Sequence, residues 1–142
     1  MPFQSVKSFL ALGGRYPFTV WEGPNLDFNR NKIFAYAKHE NDSLLMIDSD
    51  IVFTPEDVKK IENHLKTKDV ITGIYLLGYP PKSVPDIFER KENDYVYTEP
   101  KQGLNQIGAC GAGFLGISNR VLKAIPDPFD NYKDDKESHE ED

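Results

Sequence analysis

Apolar and polar positions fall into blocks along this 142-residue chain, and one block stands apart from the rest. In Leu44-Leu45-Met46-Ile47-Asp48-Ser49-Asp50-Ile51-Val52-Phe53, four apolar residues run into two carboxylates two positions apart, and three more apolar residues follow. A short continuous apolar run of this kind predicts a strand buried on both faces, as in a parallel α/β sheet. Acids at the end of such a strand lie where α/β sheets bind ligands. Two close Asp side chains repel each other unless a cation offsets them, so Asp48 and Asp50 are candidate metal ligands. An ordinary acidic turn is the competing interpretation.

Other blocks fall on either side of it. Phe3, Val6, Phe9 and Leu10 have helical spacing within 2–12, and Gly13-Gly14 closes that segment as a C-cap would. Phe18-Thr19-Val20-Trp21 is β-prone, and Glu22-Gly23-Pro24-Asn25 reads as a turn. Asn25 or Asp27 then caps a helix reaching about Glu40, with Phe28, Ile33, Phe34 and Ala37 among its apolar positions. After the acidic turn, Thr54-Pro55-Glu56-Asp57 combines an N-cap threonine, a first-turn proline and first-turn acids. Val58, Ile61 and Leu65 give that helix its apolar face, and His64 reads as a surface residue near its end.

Asp69 to Leu77 is the next buried-strand candidate, with Gly73 where another backbone or a ligand comes close. Residues 78–106 are rich in Pro, Gly and charge, with β-prone pieces at Ile87-Phe88 and Tyr95-Val96-Tyr97; they predict a loop-and-hairpin insertion of the kind that often faces substrate. Ile107 to Ser118 is a small-residue turn leading into a strand, and Asn119 to Ile125 a short helix stopped by Pro126 and Pro128. Alternating helices and strands predict a three-layer α/β domain spanning 1–142.

Charge and composition narrow the function classes. Residues 127–142 carry eight acids and two lysines, which accounts for the whole net charge of −6; the remaining body is neutral. A neutral body with an acidic end has no basic footprint, so nucleic acid is not an expected partner. No membrane-length apolar run and no secretory signal pattern is visible, and the single cysteine, Cys110, excludes an internal disulfide framework. A cytoplasmic location is the expectation.

Several of these segments together resemble the small family-2-like glycosyltransferases with the GT-A fold. The resemblance rests on Gly23-Pro24-Asn25 leading to Arg30-Asn31, then LLMIDSDIVF, VITGIY, GACGAGFLGIS with its helix NRVLKAI, and Glu140-Glu141-Asp142, in that order. It implies a three-layer α/β/α domain with a mostly parallel central sheet. It also implies a piece trimmed at both ends, since such folds open with a strand and continue past the Glu-Asp pair.

The same resemblance implies residue roles. Asp50, with Asp48, would hold Mn²⁺ or Mg²⁺ against the diphosphate of a UDP- or GDP-sugar, and His139 is a further candidate ligand. Asp48, Arg30 and Asn31 would meet the nucleotide, or Arg30 would buttress the Asp48–Asp50 loop; Arg30 reads equally well as a surface arginine paired with Asp27 or Glu22. Gly111, Ala112 and Gly113 would flank a glycan or other hydroxyl acceptor, with close packing of two backbones as the competing explanation. Asp142, and second Glu141, would deprotonate the acceptor, against the simpler view of a solvated acidic tail.

The function expected on these grounds is metal-dependent, inverting transfer of a sugar from a nucleotide-diphosphate donor to a hydroxyl. A non-catalytic nucleotide- or sugar-binding piece is one alternative. Another is a haloacid-dehalogenase-type phosphatase, in which Asp48 would be phosphorylated; against it, that motif belongs on a first strand, and here two helices and a β-prone segment precede it.

Overall fold

The structure, a computed structural model, describes residues 3–78 and 83–126. Helix α1 (Phe3–Ala11) opens this part of the chain. Helix α2 (Leu26–Glu40) follows, with the Asn25 side chain accepting the Phe28 N–H at its start and Asn41 in the left-handed region at its end. The apolar run forms β1 (Leu44–Ile47), and α3 (Pro55–Leu65) begins with a complete capping box between Thr54 and Asp57.

The Asp69–Leu77 candidate divides into β2 (Val70–Thr72) and β3 (Leu76–Leu77). The division falls at Gly73, where a Cβ would lie 2.5 Å from the Phe114 ring. Next come β4 (Val84–Pro85), the hairpin of β5 (Ile87–Lys91) and β6 (Asp94–Tyr97), then β7 (Ala109–Cys110), β8 (Phe114–Ile117) and α4 (Asn119–Ala124).

Among the described residues the strands form small sheets in the orders β1-β8-β2, β3-β4 and β6-β5-β7, and every pairing is antiparallel. The expected three-layer GT-A-like domain with a mostly parallel central sheet is therefore corrected. An apolar run reports burial on two faces but not the direction of its neighbour. Here the neighbour of β1 is the late strand β8, with Leu44 opposite Ile117 and Ile47 opposite Phe114. Strand β2 pairs the other edge of β8, so β1 and β2 run the same way with β8 between them. The β-prone stretch Phe18–Trp21 forms no strand; Phe18, Val20 and Trp21 are exposed.

Strand β8 is buried along its whole length because apolar clusters cover both its faces. Phe114 packs with Leu12, Phe53, Val58, Ile61, Leu65 and Ile71, whereas Leu115 and Ile117 pack with Phe34, Ala37, Met46 and Leu122. The period-two alternation of a strand explains the division. Gly116 points toward α3, and a Cβ there would sit 2.6 Å from Ile61 Cγ2. The helix can lie this close only because position 116 lacks a side chain.

Candidate functional site

The two carboxylates occupy a turn at the end of β1. The Ile51 N–H donates to the Asp48 carbonyl at 3.1 Å, which puts Ser49 and Asp50 at the tip. Both are exposed. The turn is fixed on both sides: on entry the Asp48 N–H donates to the Gly113 carbonyl at 2.9 Å, and on exit the Phe53 N–H donates to Ser8 Oγ at 3.0 Å. Phe53 is itself buried, edge-on to Phe9 at 5.0 Å and 5.7 Å from Phe114. An exposed acidic tip thus stands on an ordered base.

Arg30, from the second turn of α2, reaches the same place. Its Nη2 lies 3.4 Å from Asp48 Oδ1, with the arginine side chain 18% and the aspartate 42% exposed. The guanidinium therefore pairs with the first acid of the motif rather than with Asp27 or Glu22. Asn31 is half-buried beside it in α2. A shallow depression bounded by Pro24, Asn25, Leu26 and Asp27 opens at the start of this helix, one turn before Arg30.

Behind the turn lies a polar cluster that the sequence reading missed. The Gly113 N–H donates to Tyr75 Oη at 2.8 Å, and Tyr75 Oη donates to Asp86 Oδ2 at 2.5 Å. Asp86 is 8% exposed, an unusual degree of burial for a carboxylate. Burial pushes the Tyr75 phenol well above the ordinary tyrosine range, and its bond to Asp86 adds to the effect. The charge of Asp48 adds a minor push in the same direction.

Gly111 and Gly113 owe their identity to this pair. A Cβ at Gly111 would overlap the Asp86 carboxylate and the Tyr75 hydroxyl, and one at Gly113 would lie 2.7 Å from the Tyr75 ring. Ala112 packs against the α2–α4 side of β8. The small residues GAG were visible in the sequence as a place of close approach; that the visitor would be a Tyr–Asp pair from 36 and 25 residues upstream of Gly111 was not. Cys110, next to them, has its thiol pushed up by burial and by the Asp86 charge, against a lowering by Thr72.

Asp142, Glu141 and His139 lie outside the described residues. Among the described residues no group of three or more His, Cys, Asp or Glu side chains is arranged to hold a metal ion. Asp48 and Asp50 offer two carboxylates. Mg²⁺ and Mn²⁺ bound with substrate phosphates commonly take one or two protein carboxylates, so this donor set fits such an ion in company with a diphosphate.

Comparison with known protein families found no match, and neither did comparison with curated proteins. Among solved structures the fold is similar to the crystal structure of A197 from STIV, with a TM-score of 0.63 and 19% sequence identity. The alignment covers 88% of this chain and 63% of that one, so the chain spans less than two thirds of A197. At this identity the likeness is one of fold. The resemblance to family-2-like glycosyltransferases with the GT-A fold is accordingly corrected: no family matches the sequence, the sheets are antiparallel, and no three-residue metal cluster is present among the described residues. The ordered short motifs that suggested it are few residues each, and three of them contain the strands LLMI, VIT and FLGI, whose apolar composition suits a sheet of either direction. No described helix is long and apolar enough to cross a membrane.

Proposed function

We propose that the protein is a glycosyltransferase that holds a nucleoside-diphosphate sugar, UDP- or GDP-linked, at the Asp48–Ile51 turn and moves the sugar to a hydroxyl acceptor. The observation that carries this reading is the turn itself. An exposed Asp50 and a half-exposed Asp48 sit together on an ordered base, with the Arg30 guanidinium 3.4 Å from Asp48. A carboxylate pair beside an arginine suits a cation–diphosphate complex: the acids meet the cation and the arginine meets phosphate oxygen.

Mn²⁺ or Mg²⁺, when bound, would neutralise charge on the departing nucleoside diphosphate. The chain's own residues do the rest in this reading. Asp50 and Asp48 orient the donor, His139 is a further candidate ligand, and Arg30 and Asn31 contact the nucleotide. The acceptor oxygen bonds to the anomeric carbon as the bond to the diphosphate oxygen breaks, inverting that centre. The acceptor proton passes to a carboxylate, for which Asp142 is the candidate and Glu141 the second.

The test is release of UDP or GDP from a panel of nucleotide sugars, with Mn²⁺ and with simple glycans as acceptors. Acceptor-dependent release that is lost in Asp142→Asn supports the reading. Nucleotide binding without release from any donor favours a binding protein that does no chemistry.

A further inference from the structure

Three hydrogen bonds join the exposed acidic turn to a buried carboxylate. The Asp48 N–H donates to the Gly113 carbonyl at 2.9 Å, the Gly113 N–H donates to Tyr75 Oη at 2.8 Å, and Tyr75 Oη donates to Asp86 Oδ2 at 2.5 Å. The direction is set at each step, because a peptide N–H only donates and the phenol, having accepted one bond, has a single proton to give. Main-chain bonds close the far end. The Asp86 N–H donates to the Tyr75 carbonyl at 3.1 Å, and the Gly111 N–H donates to the Asp86 carbonyl at 3.2 Å.

The consequence is positional. One residue, Gly113, is held at its N–H by Tyr75 and, across its Cα, carries the first residue of the acidic turn on its carbonyl. Removing the phenol oxygen would leave two groups without their partner: the N–H of a buried glycine and a carboxylate only 8% exposed. Neither is readily solvated, so the backbone at Gly113 would have to shift, and Asp48, bonded to the Gly113 carbonyl, would shift with it. The steric evidence agrees, since neither Gly111 nor Gly113 could carry a side chain while Tyr75 and Asp86 stand where they do.

We propose that Tyr75, anchored by Asp86, is the positioning residue of the acidic turn: it fixes the N–H of Gly113, the residue on whose carbonyl Asp48 is docked, and so sets where the Asp48 and Asp50 carboxylates stand for a cation and a diphosphate. Its link to the cation rests on the function proposed above; its link to the turn does not. Tyr75 touches no substrate in this account and acts only through Gly113.

The experiment uses the full chain as wild type, Tyr75→Phe, Asp86→Asn and Ile61→Val. The last loosens the core beneath Gly116 without touching the hydrogen-bonded path. Amide hydrogen exchange is measured without ligand, and UDP is titrated in Mn²⁺. Tyr75→Phe is expected to lose protection at least tenfold at the Asp48 and Gly113 amides, while the amides pairing β1 with β8 keep theirs. Its UDP affinity in Mn²⁺ is expected to fall about tenfold. Asp86→Asn keeps an acceptor oxygen and is expected to retain most of both properties. Ile61→Val is expected to lose stability yet bind within twofold of wild type.

Unchanged Asp48 and Gly113 protection in Tyr75→Phe would overturn the proposal, as would an equal loss of UDP affinity in Ile61→Val. If wild type itself fails to bind UDP with Mn²⁺, the nucleotide reading fails, and exchange at Asp48 still decides whether Tyr75 positions the turn.

Discussion

The Arg30 guanidinium lies 3.4 Å from the Asp48 carboxylate, bringing α2 and the end of β1 to one point on the surface. The pair is partly exposed, so its worth to stability is small, roughly 0–1 kcal/mol. Its use is to hold a cationic fork beside an acidic turn. Arg30→Gln is expected to weaken UDP binding in Mn²⁺ by about 1.5–3 kcal/mol, the usual worth of a hydrogen bond to a charged group. Calorimetric titration reads this directly, and affinity within twofold of wild type would leave Arg30 with a structural role only.

The packing of α3 on β8 yields a stability prediction independent of function. A Cβ at Gly116 would meet Ile61 Cγ2 at 2.6 Å, and Leu65 Cδ1 at 3.2 Å. Gly116 is buried in a strand that is paired on both edges, so the helix has to move. Gly116→Val is expected to cost about 1–3 kcal/mol, the range for overpacking a full core. A urea midpoint at the wild-type value would show that α3 yields freely.

The Tyr75 phenol sets a pH dependence. Its proton is held more tightly in the fold than in the unfolded chain, where tyrosine ionises near pH 10. Its contribution is therefore fully present below about pH 10 and declines as pH rises beyond it. Tyr16, whose phenol is raised chiefly by donating to Glu62, adds a smaller slope of the same sign. Urea midpoints between pH 8 and pH 11 are expected to fall less steeply in Tyr75→Phe than in wild type. Equal slopes would show that the phenol is as easily ionised folded as unfolded.

Cys110 gives a fourth expectation. Burial holds its thiol above the ordinary range, so little thiolate is present at neutral pH. A colorimetric disulfide reagent at pH 7 is expected to react with the folded protein at least tenfold more slowly than with the protein in denaturant. Equal rates would mean that the β5–β7 region opens easily.

Local chemistry was legible in the sequence wherever a few adjacent residues carry it. Thr54-Pro55-Glu56-Asp57 became a capping box, Asn25 became an N-cap, and the alternation across β8 follows from its residues. Strand direction was not legible, because Leu44–Ile47 would be equally buried beside a parallel or an antiparallel neighbour. The neighbour it does have lies some seventy residues later.

The same limit applied at the site. Asp48, Asp50 and Arg30 were singled out, and the structure brings Arg30 to Asp48 across 18 positions. Tyr75 stood only as one residue of the buried-strand candidate Asp69–Leu77, and Asp86 stood unremarked in a stretch rich in turn residues. Their role comes from a contact with Gly113 made 38 positions away from Tyr75, and no local pattern encodes it. The two glycines were the available signal, since they mark where something must come close without saying what.

The most direct test of the central claim is calorimetric titration of UDP, and then GDP, into the full chain with and without Mn²⁺, beside Asp50→Asn. Asp50 is exposed at the tip of its turn, so the substitution should leave the fold unchanged by circular dichroism. The account predicts binding that requires Mn²⁺ and is reduced at least tenfold in Asp50→Asn. Binding of equal strength in both proteins, or none by a folded wild type with either nucleotide, would contradict it.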